Sequence, residues 1–375
     1  TREFVIRREF RASQNGVFQI KKINQGLNNL LASGLFNSVM YKIVHENNQW
    51  NSYLHLQEKL PYVVRIGARY DRERNGLGFV EFSDENFAGP GHDFTIHGQY
   101  GDRDAKGSIR LRMNRIFETL FTSEINVKFD KSKYFSYQNF AGVGEYERKS
   151  AGFIFSIGRH IERFGTISFF LRREHIRIRG ISGYGYDTGR LNISTFGFTT
   201  IFDTRDRVPF STSGRYHHFL YEVSAGEFLG SDIAYFKVQN NLTSYYTFFK
   251  RHTLSPKIFW GTSDLTTPYS EHFRAGGYGS FLGLREGELQ GRHVFIGNLE
   301  YRFLIPKRFL FDTYLSLSYD WGTAWEDALE IKLVDFVSGR GIGIFFDTPL
   351  GPISCALGRT NTGRNRIYFN AGYDF

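Results

Sequence analysis

The chain has 375 residues, with 47 Lys and Arg against 38 Asp and Glu, a formal charge of +9, and an aromatic share of 17% that includes 39 Phe and 22 Tyr. No run approaches the ~18 apolar residues of a membrane-spanning helix, so a membrane role has to rest on alternating strands, which are compatible with the mean hydropathy of −0.36. The basic residues are scattered among apolar ones instead of gathered in a patch, which argues against nucleic acid; a barrel lumen or lipopolysaccharide phosphates would account for the charge equally well.

Residues 1–60 differ from the rest of the chain. FQIKKINQGLNNLLASGLF carries Ile20, Ile23, Leu27, Leu30 and Leu31 at helical spacing, and Gly34 stands where a helix would stop. The stretches VMYKIVHE and SYLHLQE then read as two short strands. This is a small α/β module ahead of a long β region.

From Tyr62 onward sixteen strands are expected, near 62–72, 76–85, 91–103, 105–116, 118–130, 147–160, 164–179, 189–203, 213–226, 231–247, 251–263, 292–305, 309–322, 339–347, 351–359 and 366–375. An even count suits a closed antiparallel barrel with both ends on one side. In 121–130, Phe121, Ile125, Val127 and Phe129 oppose Thr122, Glu124, Asn126, Lys128 and Asp130; in 311–320, Phe311, Leu315, Leu317 and Tyr319 oppose Asp312, Tyr314, Ser316, Ser318 and Asp320. A soluble sandwich or propeller would share this period. Strands of ten or more residues with an apolar outer face favour a wide membrane barrel instead.

ERNG (73–76) reads as a tight turn, whereas 131–146 and 264–291 read as long outer loops, the second rich in glycine. Cys355, the single cysteine, allows neither an internal disulfide nor a cysteine metal site and keeps step with Ile353 and Leu357, so it is expected to face lipid. The last strand, RIYFNAGYDF, sets Ile367, Phe369, Ala371, Tyr373 and Phe375 on one face and ends on an aromatic, the pattern of a barrel-closing strand whose signal is Phe369, Tyr373 and Phe375.

The loop 264–291, the preceding IFDTRDRVPFSTSG (201–214) and the aromatic last strand together resemble the BamA-type superfamily of outer-membrane barrels with POTRA domains. The resemblance implies that the loop folds back into the barrel and carries a four-residue motif, Val/Ile-Arg-Gly-Phe/Tyr, matched here by Phe281, Leu282, Gly283 and Leu284 with Leu282 in place of arginine. GGYGSFLGLREGELQGRHVFIGNLEYRF and TPLGPISCALGRTNTGRNRIYFNAGYDF are more similar to the barrel of patatin-like phospholipase autotransporters of type Vd. Residues 1–44 resemble a POTRA domain that lacks its first strand, so the chain is expected to begin inside a domain, with a patatin lipase upstream in that subfamily. No signal peptide is present, which suits a mature or truncated chain.

Within that resemblance the motif arginine pairs with acidic wall residues. The expectation here is that Arg285, or failing that Arg274, pairs with Asp320 and Glu300, both inward by alternation. Asp203, Arg205 and Asp206 match the family's Asp-x-Arg-Asp motif and are expected to form a fixed, salt-bridged turn at a strand end.

Nothing resembles an active site. There is no G-x-S-x-G elbow, RGISGYG (179–185) reads as a hairpin, and GRGIGIF (339–345) lacks the helix that a phosphate loop needs. His217 and His218 point to opposite faces of a strand, so no metal is expected. The reading is a non-enzymatic anchor and translocator without a cofactor, in the outer membrane of a Gram-negative bacterium with its POTRA module in the periplasm. Its partners would be outer-membrane lipids and lipopolysaccharide, the barrel assembly machinery and an upstream passenger; homodimerisation stays open. The alternative is an insertase or two-partner secretion transporter acting in trans.

Overall fold

The computed structural model describes residues 1–10, 19–46, 49–116, 119–161, 164–306, 310–349 and 351–372. Two helices, α1 (Glu3–Glu9) and α2 (Ile20–Ala32), precede a hairpin of β1 (Phe36–Glu46) and β2 (Gln49–Glu58). The apolar spacing of α2 buries Ile23 and Leu30, and the chain turns out of the helix at Gly34 with φ 73°. Val5, Leu30, Leu35 and Phe36 form the small core. The module sits against the barrel wall: the Arg2 backbone N–H donates to Gly89 O at 2.9 Å, and Arg115 pairs with Glu9 at 3.4 Å.

Sixteen antiparallel strands then close into a barrel. They are β3 (Tyr62–Asp71), β4 (Asn75–Phe87), β5 (His92–Gly101), β6 (Asp104–Met113), β7 (Phe121–Gln138), β8 (Ala141–Ile161), β9 (Gly165–Gly183) and β10 (Gly189–Asp203). The second half is β11 (Gly214–Ala225), β12 (Ala234–Phe248), β13 (His252–Ser263), β16 (His293–Leu304), β17 (Asp312–Trp325), β18 (Val337–Thr348), β19 (Gly351–Thr360) and β20 (Asn365–Ala371). The short β14 (Phe273–Ala275) and β15 (Leu289–Gly291) pair with each other inside the long loop between β13 and β16. The helical module marks the near end of the barrel, and the opposite end is the far end.

Strand alternation sorts the wall as the sequence requires. Phe121, Ile125, Val127 and Phe129 are exposed on the outer surface while Thr122 is buried inside; Leu315, Leu317 and Tyr319 face out while Ser316 and Asp320 are buried. Cys355 is exposed in step with Leu357. A barrel with an apolar exterior and a polar interior inverts the soluble pattern because lipid, not water, surrounds it.

One expected loop is not a loop. Residues 131–146 continue β7 and β8, which turn at Asn139 and Phe140, both with positive φ. With β9, these strands run 18 to 21 residues and stand above their neighbours at the far end. There the outward face stands clear of the apolar band, so no apolar outer set marks the strands, while Ser132, Ser136 and Tyr146 are fully buried. Tyr373 and Phe375 of the closing signal lie outside the described residues; Phe369 faces out, 41% exposed.

Candidate functional site

The lumen is filled from both ends. The far-end connection 264–292 reaches strands all around the barrel, so it lies inside the wall. Its Glu271 meets Arg148 on β8 and Arg172 on β9, its Leu282 meets Asp320 on β17, and its Gly283 meets Tyr368 on β20. Phe281 and Leu284 are fully buried, and with Phe273, Leu289, Val294 and Ile296 they make the apolar core of the barrel interior.

The tip of the loop is held by its main chain. The Leu282 N–H donates to Asp320 Oδ2 at 2.7 Å, and Asn298 Nδ2 reaches both Asp320 Oδ1 at 2.9 Å and Ser280 O at 2.6 Å. The Gly283 N–H donates to the Tyr368 hydroxyl at 2.8 Å, which in turn donates to Leu284 O at 2.6 Å; Lys257 Nζ donates to Gly279 O at 2.9 Å. The wall offers a groove of missing side chains beneath. A Cβ on Gly358 would lie 2.4 Å from Gly283 N, one on Gly339 would lie 2.5 Å from Leu282 O, and one on Gly341 would lie 2.3 Å from Leu282 Cδ1. GRGIGIF is therefore a docking groove for the loop.

The expected ion pairs are not where the sequence put them. Asp320 and Glu300 do lie inside the wall, but Asp320 is taken by the Leu282 N–H and Asn298, and the charged neighbours of Glu300 are Lys257 and Arg302. The Arg285 guanidinium sits beside Tyr137 and Glu73, and its backbone N–H donates to Glu288 at 2.6 Å. Arg274 stacks on Tyr134 at 4.3 Å and donates to the Tyr146 hydroxyl. The reason is steric: a tip seated in a glycine groove brings backbone, not a long side chain, against Asp320, so the amide takes the carboxylate.

A second set of loop contacts was not legible in the sequence. Glu271 is buried among Arg148 at 3.4 Å, Arg172 at 3.3 Å and Lys237, whose Nζ donates to Glu271 O at 2.7 Å. Glu174 and Glu222 complete the cluster; Arg172 reaches Glu222 at 2.6 Å and the Tyr235 hydroxyl at 2.7 Å. Alternation alone would have placed Arg148 and Arg172 inside, but no spacing rule pairs them with a carboxylate about a hundred residues away. Farther along, Glu286 pairs with Arg74 in the β3–β4 turn, and Glu288 pairs with Arg364 in the β19–β20 turn. The loop thus grips the hairpins on either side of the closing seam.

The near-end connection between β10 and β11 enters the lumen as well. Arg205 forks onto Asp203 with contacts of 2.9 and 2.7 Å and stacks on Tyr216. Asp206 accepts from the Thr212 and Ser213 N–H groups at 2.8 and 3.1 Å and from the Thr212 hydroxyl. Burial pushes the Asp206 carboxyl up, but these three donors outweigh it and hold the group down at about 2. Beyond the turn, Phe210 stacks on Tyr314 at 4.7 Å, and Arg302 donates to Ser211 O at 2.6 Å. The salt-bridged turn is thus also an inner plug.

Among the described residues β20 and β3 join only through the pairs Asn370↔Asp71 and Ala371↔Tyr70, with the Tyr70 and Phe369 rings 6.2 Å apart. On its other side β20 pairs with β19 over seven residues, from Asn365↔Arg359 to Ala371↔Ile353. A cavity of about 1490 Å³ runs along the free stretch of β20 and is lined by residues 365–370, the 72–75 turn and the loop residues Arg285 and Glu286. His217 and His218 bond to Asn240 and Thr199, and no cluster of metal-binding side chains occurs among the described residues.

Residues 86–375 match the family model described as the Omp85 superfamily domain. The outer membrane protein assembly factor BamA of Neorickettsia risticii (strain Illinois) is 24% identical over 248 residues, which are 66% of this chain and 28% of that protein. The chain thus spans little more than a quarter of the length of that curated relative. Among solved structures, BamA from Haemophilus ducreyi lacking POTRA domains 1–3 superposes with a TM-score of 0.84 at 15% identity, covering 99% of this chain and 81% of that one. CdiB from Escherichia coli gives 0.64 at 11% identity, covering 98% and 73%. At these identities the likeness is one of fold.

Proposed function

The chain belongs to the Omp85 superfamily of outer-membrane barrels, and from that premise we propose that it anchors and translocates a patatin-like domain carried upstream on the same polypeptide. The loop carries this reading. Where the assembly-type motif has an arginine, this barrel has Leu282, and its tip is seated by backbone bonds to Asp320 and Tyr368 in a groove of glycines. The strings around that tip and around the last hairpin are those most similar to the type Vd barrels. Residues 1–60, with two helices and a hairpin and with Arg2 bonded to Gly89 in the near-end turn, would be the POTRA module that links passenger to barrel. In this role residues 1–375 carry no chemistry and any lipase activity belongs to the upstream domain; the stretch Asn365–Phe369 of β20 beside the cavity gives a passenger backbone a place to pair while it crosses.

The test is the intact mass and amino-terminal sequence of the protein isolated from outer membranes. A species tens of kilodaltons heavier than 43.5 kDa that begins with a G-x-S-x-G domain is expected. A chain preceded only by complete POTRA domains would overturn the anchor and favour a second reading, an assembly factor or two-partner transporter acting on other proteins. One observation favours that second reading: the stretch Asn365–Phe369 of β20, which pairs with no residue of β3 among the described residues, lies beside a lumen cavity and offers a β edge to any client strand.

A further inference from the structure

The outer surface carries a row of cations that the lumen does not use. Cross-strand register sets Lys131 of β7 opposite Lys149 of β8, Lys149 opposite Arg177 of β9, and Arg177 opposite Arg190 of β10. All four share the outward face, because Lys131 keeps step with the exposed Phe129 and Lys149 with the exposed Phe155. At ~4.8 Å per strand the row is about 14 Å long. Like charges directly opposite one another in a sheet are destabilising, and here four stand side by side. Lys133 and Arg179, one step farther along β7 and β9, add to them on either side of Glu147. That glutamate reaches Lys131 at 3.3 Å and Lys149 at 3.2 Å, whereas Arg177, Arg179 and Arg190 form no ion pair with any described residue.

The height of the row identifies its surroundings. From Phe121, at the near edge of the apolar band, to Lys131 is ten residues, which at ~3.4 Å each on strands tilted by about 40° is about 26 Å along the barrel axis. The apolar band of such barrels is about 25 Å tall. Between the two levels the same strands present the apolar row Ile125, Phe155, Leu171 and Phe196. Because the row runs across strands tilted by about 40°, its two ends differ in height by about 9 Å, and the cations span the headgroup layer at the far rim above the acyl-chain surface.

We propose that this face binds a phosphorylated glycolipid of the facing leaflet, with phosphates at separated positions on a sugar headgroup bridging the guanidinium and ammonium groups and acyl chains lying on the apolar rows below. Arginine forks match phosphate oxygens two at a time, and a single-phosphate phospholipid engages only part of a four-strand row. The proposal rests on the outer-membrane placement of the barrel and not on its role as an anchor.

The test is native mass spectrometry and thermal melting of the purified protein in detergent, titrated with an acylated disaccharide bearing a phosphate at each end, with the same glycolipid stripped of phosphate, and with phosphatidylglycerol. The variant Lys149→Gln/Arg177→Gln/Arg190→Gln is compared with Lys21→Gln/Lys22→Gln/Lys42→Gln, which removes the same charge from the exposed helical module. The expected result is a loss of roughly tenfold or more in affinity for the diphosphoryl glycolipid in the row variant alone. Without lipid the row variant melts no lower than the parent, since repulsion is relieved, and it lacks the rise that the glycolipid gives the parent. Equal binding by the row variant and the parent, or of the phosphate-free glycolipid, overturns the site. Equal binding of phosphatidylglycerol overturns the ligand class, and an equal loss in the control triple reduces the effect to net charge. If the triple variant does not fold, Arg177→Gln is read in the same way, and an unchanged affinity overturns the proposal.

Discussion

Replacing Asp320 by alanine tests how the lumen plug is held. The carboxylate accepts from the Leu282 N–H at 2.7 Å and from Asn298 at 2.9 Å, and hydrogen bonds to a charged group contribute ~1.5–3 kcal/mol each. Their loss sets an upper bound of ~3–6 kcal/mol, and relieving the desolvation of a buried carboxylate offsets part of it. A net weakening of loop docking by ~2–4 kcal/mol corresponds to exchange roughly thirty- to several-hundredfold faster at the loop amides, at ~1.4 kcal/mol per factor of ten. Hydrogen exchange over residues 276–286 of the protein in detergent reads this directly. Arg285→Ala is the internal control, because that side chain lies by Tyr137 and Glu73 and not at Asp320; it should leave the Leu282 and Gly283 amides within a few-fold of the parent. Unchanged exchange in the Asp320 variant would refute anchoring at that carboxylate altogether, and equal acceleration by Arg285→Ala would refute backbone anchoring in favour of the arginine ion pair.

Gly358→Ala places a methyl 2.4 Å from Gly283 N and 2.9 Å from Leu282 C, so the loop must retreat at a cost of ~1–3 kcal/mol; the same exchange experiment should show faster tip amides with the barrel intact. Glu271→Ala takes from Arg148 and Arg172 the loop carboxylate between them and leaves them Glu174 and Glu222, so it should cost less than the ~3–5 kcal/mol of a fully stranded charge, read as a lower temperature for the gel-mobility shift on heating; an unchanged temperature counts against the cluster as the brace of the plug. Asp206, held at about 2, stabilises its turn above the unfolded carboxyl value of ~3.9 and loses that contribution as pH falls through about 2. Its carboxyl resonance should titrate with a midpoint near 2, a midpoint near 4 would contradict the geometry, and Thr212→Ala should raise it. In a Cys355→Ser background, cysteines at Tyr70 and Ala371, which face each other across the seam, should cross-link on mild oxidation and block passage of a passenger; undiminished passage through the locked seam would exclude opening there.

The barrel wall was legible from the order of residues. Period-2 alternation with an apolar outward set, as in Phe121, Ile125, Val127 and Phe129, is imposed by lipid on one side and a wet lumen on the other, so strands, their number and their facing could be counted from residues alone. The same signal fails for 131–146, where the outer face of β7 and β8 stands clear of the apolar band and the inner face packs polar and aromatic side chains such as Tyr134 and Tyr146 against Arg274 of the loop, so no apolar outer set marks the strands. Likewise, the helix ending at Gly34 and the turn built on Asp203, Arg205 and Asp206 are local structures, fixed by neighbours within a few residues. The long-range contacts emerged only in the folded molecule. Glu271 meeting Arg148 and Arg172, Glu286 meeting Arg74, and the Leu282 amide displacing any arginine at Asp320 depend on how deep the loop sits. That depth is set by the absence of side chains at Gly339, Gly341 and Gly358 on the opposing strands. A missing Cβ carries no periodic signature, and a contact across a closed barrel is fixed by closure and register, which involve every strand at once.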